Sequence, residues 1–163
     1  MLFRSMDGGT QGLYLLPYVQ EASRLIVFDA IDYGLPAGTM KIIEGDEVPC
    51  FMGAKKMSLH QTGFQEVIAA AALTGKRPAE MLLIGVQPVE LEDYGGSLRD
   101  EVKAQIPKAI AIATARLSEW GVALVERADA GSRINDAAVA MAEYESGRPS
   151  AETACRVGDE RFL

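Results

Sequence analysis

The sequence has few of the residues on which familiar active sites are built. It contains one histidine and two cysteines, and Cys50 and Cys155 show neither CxxC nor zinc-site spacing. It also lacks the dinucleotide motif GxGxxG, a P-loop and the GxSxG nucleophile elbow. A nucleotide site therefore has no direct support, and a serine triad has little to build on with a single imidazole.

Basic clusters and long apolar runs are also missing. The net charge of −7 argues against nucleic acid or an anionic membrane as a partner. No segment approaches the length and hydrophobicity of a membrane span, and residues 1–6 lack the apolar core of a signal peptide. Because the two cysteines show no disulfide framework, a reduced, cytoplasmic location is expected.

What the sequence does contain is an alternation of strands and helices. Segments 24–31 and 81–86 are apolar runs typical of buried strands, and segment 39–44 predicts an edge strand with one wet face. Helical spacing of apolar residues covers 12–22, 58–75 and 97–120. The chain length fits a single domain, and the alternation predicts a three-layer α/β/α fold with a mainly parallel twisted sheet. Strands 24–31 and 39–44 have no helix between them, so they should be antiparallel or not adjacent.

Proline and glycine predict several interruptions. Pro17 should make the first turn of its helix irregular, and Pro107 should kink or break the longest helix. Residues 45–57 are predicted as a loop because Asp46, Pro49 and Gly53 break any period. Residues 122–125 are predicted as a short strand. The domain is expected to span residues 1–126, and residues 127–163 to form a weakly ordered tail with one helix near 135–145.

Asp29 ends the strand that contains Leu25, Ile26, Val27 and Phe28. In open α/β sheets, ligands bind beyond the carboxyl ends of the strands, so a carboxylate there is a candidate functional group. Taken alone, an aspartate in this position more often caps a turn or a helix.

His60 is the second candidate, and it lies in the segment Ser58-Leu59-His60-Gln61. This segment fits a capping box, so His60 falls in the first helical turn. The positive helix end disfavours imidazolium and keeps the ring neutral. A neutral imidazole and a carboxylate together suit a divalent transition metal. A lone histidine is more often structural, so the residues alone leave both roles open.

Several short motifs occur in a fixed order with consistent spacing. They are Asp7–Gly12, Ile26–Ala30, Pro36–Thr39, Ser58–Gln61, Ile84–Pro88 and the pair Leu91-Glu92. Together, over roughly residues 6–125, they resemble the maturation endopeptidases of nickel-iron hydrogenases. The longer tail is similar to that of the subgroup serving uptake hydrogenases.

The resemblance implies an endopeptidase of the aspartic type that removes the C-terminal extension of the nickel-loaded hydrogenase large-subunit precursor. Nickel, carried by that precursor, would be the recognition element, and other divalent ions should fit the same site. Asp29 matches the family's metal-binding aspartate and His60 its histidine, whereas no catalytic residue is identified. The glycine-rich loop is implied to bind substrate, and its matching residues are Asp7, Gly8, Gly9 and Thr10.

The sequence departs from the family in one place. The family carries a strand, a glycine turn and a glutamate ligand before the glycine-rich loop, whereas only six residues precede Asp7 here. We therefore expect a chain that lacks the first strand, with an unfilled slot beside Leu25–Phe28.

Two other functions remain open. The missing glutamate favours a non-catalytic α/β module that binds the metalloprotein without cutting it. A small nucleotide-binding domain is the weakest alternative. Cleavage of nickel-loaded precursor would separate the first two functions, and nucleotide titration would test the third.

Overall fold

The core of the fold is a three-stranded sheet. The computed structural model describes residues 4–9, 12–52, 59–90, 98–125 and 140–146, without the side chains of 50–52, 59–63 and 144. Within these ranges the strands are β1 (Arg24–Ala30), β2 (Met40–Glu44) and β3 (Glu80–Val86), in the order β1–β3–β2. β1 runs parallel to β3, and β2 runs antiparallel to it. The predicted α/β class is confirmed, with a mixed sheet in place of the mainly parallel one expected.

The position of β2 follows from the short connection that precedes it. As predicted, β2 is not adjacent to β1 and occupies an edge of the sheet. The connection reverses at Gly38, which has a positive φ of 73°. A Cβ atom at Gly38 would lie 2.8 Å from the carbonyl oxygen of Glu101, so only glycine fits this turn.

Helices cover both faces of the sheet. On one face lie α1 (Leu16–Glu21), α2 (Glu47–Met52) and α3 (Leu59–Leu73); on the other lies α5 (Ile106–Glu119), preceded by the short α4 (Asp100–Lys103). The core on the α3 face contains the buried residues Ile31, Ile43, Val48, Ile68, Met81 and Leu83. The core on the α5 face contains Leu82, Ile84 and Ala113. The three-layer arrangement is therefore confirmed.

The outer edge of β1 differs from the rest of the sheet. β3 is buried along most of its length, whereas β1 is half-buried and its Phe28 is 57% exposed. Ile31 donates its N–H to the Val86 carbonyl. The backbone N–H and C=O groups of the odd-numbered residues of β1 therefore point toward β3, whereas those of Ile26 and Phe28 point away from it. Among the described residues, no strand pairs with that outer edge. Residues 1–3 lie outside the described residues, so the slot expected beside Leu25–Phe28 stays a prediction.

Prolines lie in the first turns of three helices. Pro17 follows a 3-10 turn over Gly12–Leu15, and Pro107 opens α5 after a break at residues 104–105, both as predicted. The prediction of a loop over 45–57 is wrong at Glu47–Met52, which form α2. Pro49 is tolerated there because the first N–H groups of a helix have no intrahelical acceptor. Val48, fully buried in the core, anchors α2 to the sheet.

The C-terminal part deviates from expectation at one place. Residues 122–125 form no strand, and Leu124 and Val125 are exposed. An apolar run alone does not make a strand without a sheet edge to pair with.

Helix α6 (Met141–Ser146) lies partly within the predicted 135–145 helix, while residues 126–139 and 147–163 lie outside the described residues. In the described part of the chain, every helix is too short or too polar to cross a bilayer.

Candidate active site

Asp29 lies at the carboxyl end of β1, where the sequence predicts a functional carboxylate. It is in register with Gly85 of β3, which in turn is in register with Lys41 of β2. Its neighbours two positions away, Val27 and Ile31, pack into the core on the α3 face. Because side chains alternate along a strand, Asp29 is directed to the same face. Asp29, Gly85 and Lys41 therefore form a row across the sheet beneath α3.

Tyr33 covers the middle of this row. A Cβ atom built on Gly85 would lie 2.2 Å from the Tyr33 hydroxyl oxygen, so the phenol occupies the space that any other residue at position 85 would fill. The Lys41 ammonium nitrogen lies 5.0 Å from the centroid of the Tyr33 ring, within cation–π range. A glycine inside a strand often marks a close approach of this kind.

The Tyr33 hydroxyl is buried and finds no hydrogen-bond partner among the residues that the structure describes. Burial raises the pKa of Tyr33 to about 12, and the negative charge of Asp29 adds to the rise. The phenol is therefore neutral at physiological pH and keeps a proton to donate.

Gln87 fixes the loop that carries Tyr33. Its side chain is almost fully buried, and its Oε1 accepts N–H bonds from Tyr33 at 2.7 Å and from Leu35 at 3.2 Å. Its Nε2 donates to Oδ1 of Asp32 at 3.0 Å. The backbone of Gln87 bonds to the same loop, since Gly38 donates to its carbonyl and its own N–H donates to the Thr39 carbonyl. One buried amide thus ties residues 31–39 to the end of β3.

The backbone of His60 lies at the same end of the sheet as Asp29. It is the second residue of α3, which leads through a short turn into the start of β3. Because α3 packs on the sheet through Phe64 and Ile68, its first turn lies near the carboxyl ends of β1 and β3. The side chain of His60 lies outside the described residues, so its distance from Asp29 stays a prediction.

The glycine-rich loop is tied to α3 through the segment that follows it. Gly9 donates its N–H to Oδ1 of Asp7 at 2.8 Å, so that carboxylate closes its own turn. A Cβ on Gly8 would lie 3.3 Å from Leu15, a residue that packs against Val67 and Ala71 of α3. Thr10 lies outside the described residues, and the assignment of this loop to substrate binding stays a prediction.

Sequence reasoning missed Tyr33 and Gln87. Tyr33 belongs to none of the sequence motifs, and Gln87 lies in the motif Ile84–Pro88 without a role of its own. Two signals point to them: Gly85 interrupts an otherwise apolar strand, and Gln87 is a polar residue at the end of that strand. The pairing itself joins residues 54 positions apart, which no local pattern reveals.

Two further features of the described structure bear on the site. Among the described side chains, no group of three His, Cys, Asp or Glu residues is placed to hold a metal ion. A cavity of about 540 Å³ lies elsewhere, between the end of β3 and α4, and its lining includes Val89, Arg99, Lys103 and Glu145. None of the predicted site residues lines it.

Comparison with known proteins identifies the family of this chain. The family model for hydrogenase maturation proteases matches residues 3–116. The hydrogenase expression/formation protein HupM of Azotobacter chroococcum mcd 1 is 58% identical over 160 residues, which are 98% of this chain and 77% of that protein. The hydrogenase 2 maturation protease of Escherichia coli is 39% identical over 123 residues, 75% of this chain and 74% of that one.

The solved structures agree with this match. The hydrogenase maturating endopeptidase HybD from E. coli superimposes with a TM-score of 0.70 at 38% identity, covering 77% of this chain and 76% of that one. HybD from Thermococcus kodakarensis gives a TM-score of 0.55 at 28% identity, covering 68% and 76%. The chain belongs to the hydrogenase maturation protease family, and the resemblance drawn from the sequence motifs is confirmed.

Proposed function

We propose that this protein is an endopeptidase that removes the C-terminal extension of a nickel-loaded hydrogenase large-subunit precursor. Membership of the maturation protease family supports the reaction. The observation that carries the proposal is the position of Asp29, at the carboxyl end of β1 and on the face covered by α3, whose first turn contains His60. A carboxylate and an imidazole at one end of the sheet form a natural half-site for a divalent metal.

In this proposal, nickel belongs to the precursor and is therefore part of the substrate. Asp29 would offer a carboxylate oxygen and His60 a ring nitrogen, a donor set suited to nickel, while the precursor supplies the remaining ligands. A neutral His60 imidazole would offer its nitrogen lone pair to the metal. A half-site of this kind distinguishes loaded from unloaded precursor, because only the loaded form presents the metal. The aspartic-type class is part of the same proposal and rests on the family resemblance alone.

The decisive experiment is a cleavage assay with nickel-loaded and nickel-free precursor. We expect cleavage of the loaded form alone, and loss of cleavage together with weaker but still measurable nickel-dependent binding in Asp29→Asn and His60→Gln. Asp46→Asn is the matched control, because the Asp46 side chain is 86% exposed and pairs with Arg77 at the other end of the sheet. Normal cleavage by Asp29→Asn would refute the proposal, and nickel-dependent binding without cleavage by the wild type would select the non-catalytic module.

A further inference from the structure

The Tyr33 hydroxyl is costly in the described structure. A buried hydroxyl without a hydrogen-bond partner destabilises a fold, and such a group in a native protein calls for an explanation. Phenylalanine would fill the same space without that cost. A hydroxyl retained in this position indicates a partner that is engaged in another state of the protein.

The register of the sheet identifies the nearest candidate. Tyr33 lies over Gly85, and Gly85 is paired directly with Asp29. Neighbouring strands are roughly 4.8 Å apart, so the hydroxyl lies about one strand spacing from the point where the Asp29 side chain leaves β1. Both groups are on the α3 face of the sheet.

The residues around Tyr33 fix the position of its ring close to Asp29. Gln87 fixes the backbone at Tyr33 and Leu35, and Lys41 lies against the ring. The absence of a side chain at Gly85 lets the ring sit close to the sheet. A loop that is fixed on both sides of the aromatic residue loses little further freedom when the hydroxyl finds its partner.

We propose that Tyr33 is a positioning residue for Asp29, whose hydroxyl donates a hydrogen bond to one carboxylate oxygen when the other engages the metal-bearing substrate. This inference rests on the proposed function, since it takes Asp29 as the metal-binding carboxylate. Ligating carboxylates are commonly oriented by a hydrogen bond from a neighbouring group, and loss of such a partner typically lowers metal affinity about 10–100-fold. The phenol suits the role because it is neutral and donates without adding charge.

The test combines Tyr33→Phe with Asp29→Asn in a double-mutant cycle. The measured quantities are the Kd for nickel-loaded precursor and, independently, the Kd for Ni²⁺ alone by calorimetry. Tyr14→Phe is the matched control, because Tyr14 is 81% exposed. We expect Tyr33→Phe to weaken both affinities about 10-fold, Tyr14→Phe to change neither, and Tyr33→Phe to have no further effect in the Asp29→Asn background.

Each result has one meaning. Unchanged affinities in a folded Tyr33→Phe variant would overturn the positioning role even where Asp29→Asn weakens binding, which leaves the proposed function intact. An equal loss in the presence and absence of Asp29 would also overturn it, because Tyr33 would then act independently. If Asp29→Asn alone has no effect, the proposed function fails and this inference fails with it. Gly85→Ala supplies a second variant that keeps the hydroxyl but displaces it, and the same loss is expected.

Discussion

Replacement of Gln87 by methionine should loosen the loop that carries Tyr33 while leaving the sheet in place. Methionine has a similar volume and no hydrogen-bonding amide, so the change removes three side-chain hydrogen bonds without opening a large cavity. Two of these bonds are accepted from backbone N–H groups, and the third is donated to the Asp32 carboxylate.

The magnitude follows from these three bonds. Bonds between neutral groups contribute about 0.5–1.5 kcal/mol each, and one to a charged group about 1.5–3 kcal/mol. The loop is partly exposed, so water replaces some of what is lost, and we expect Gln87→Met to lower the free energy of unfolding by about 2–4 kcal/mol. With a urea m-value of about 2 kcal/mol/M, the midpoint should fall by about 1–2 M.

The measurement is urea unfolding followed by circular dichroism, with amide hydrogen exchange at Tyr33 and Leu35 as a local probe. Gln20→Met is the matched control, since Gln20 donates one exposed hydrogen bond to Thr74 and should cost less than about 1 kcal/mol. Equal midpoints for the two variants, or unchanged protection of the Tyr33 amide, would show that the buried amide does not hold the loop.

Three further outcomes are expected. The pKa of Tyr33 is higher in the folded than in the unfolded state, so the part of the free energy of unfolding that depends on its protonation is full below pH 10 and is lost as the pH rises toward 12. Unfolding of the wild type should therefore become easier between pH 9 and pH 12 by more than unfolding of Tyr33→Phe. Val48→Ala should cost about 2 kcal/mol, because Val48 is fully buried and anchors α2, and thermal unfolding measures the loss. Phe28→Ser should change stability by less than about 1 kcal/mol but reduce self-association in sedimentation velocity, because Phe28 is 57% exposed on β1, which lies at one edge of the described sheet; unchanged sedimentation would exclude Phe28 as a contact.

The elements of the fold that the sequence predicts are those determined by local pattern. β1 and β3 are continuous apolar runs, β2 alternates imperfectly, and α3 keeps a helical period with a recognisable start. The errors arise where context overrides pattern. Pro49 breaks a period in the sequence yet lies in the first turn of α2, where its missing N–H costs nothing. Residues 122–125 are apolar enough for a strand, but they form none, and Leu124 and Val125 are exposed.

The residues of the candidate site also divide into those that local sequence patterns predict and those that depend on tertiary contacts. Asp29 was predictable because a polar residue ends an apolar strand, and His60 because a capping signature places it in a helical first turn. Tyr33 and Gln87 were not predictable, because their roles depend on the pairing of β1 with β3 and on a hydrogen bond between residues 54 positions apart. Gly85 and the polar Gln87 at the strand end were the local signals of that geometry.

Gly85 also explains why such a site forms at the end of this strand. The apolar residues that precede it, Met81 to Ile84, are buried and hold β3 rigidly between β1 and β2. Glycine then leaves a gap of one side chain between Asp29 and Lys41, in a row whose register is fixed by both neighbouring strands. The gap admits the Tyr33 phenol, and Gln87, two residues further on, secures the loop from which that phenol comes. Rigidity is thus supplied by the apolar half of β3 and the polar geometry by its last residues, so substitutions at Gly85 or Gln87 should disturb the site before they unfold the sheet.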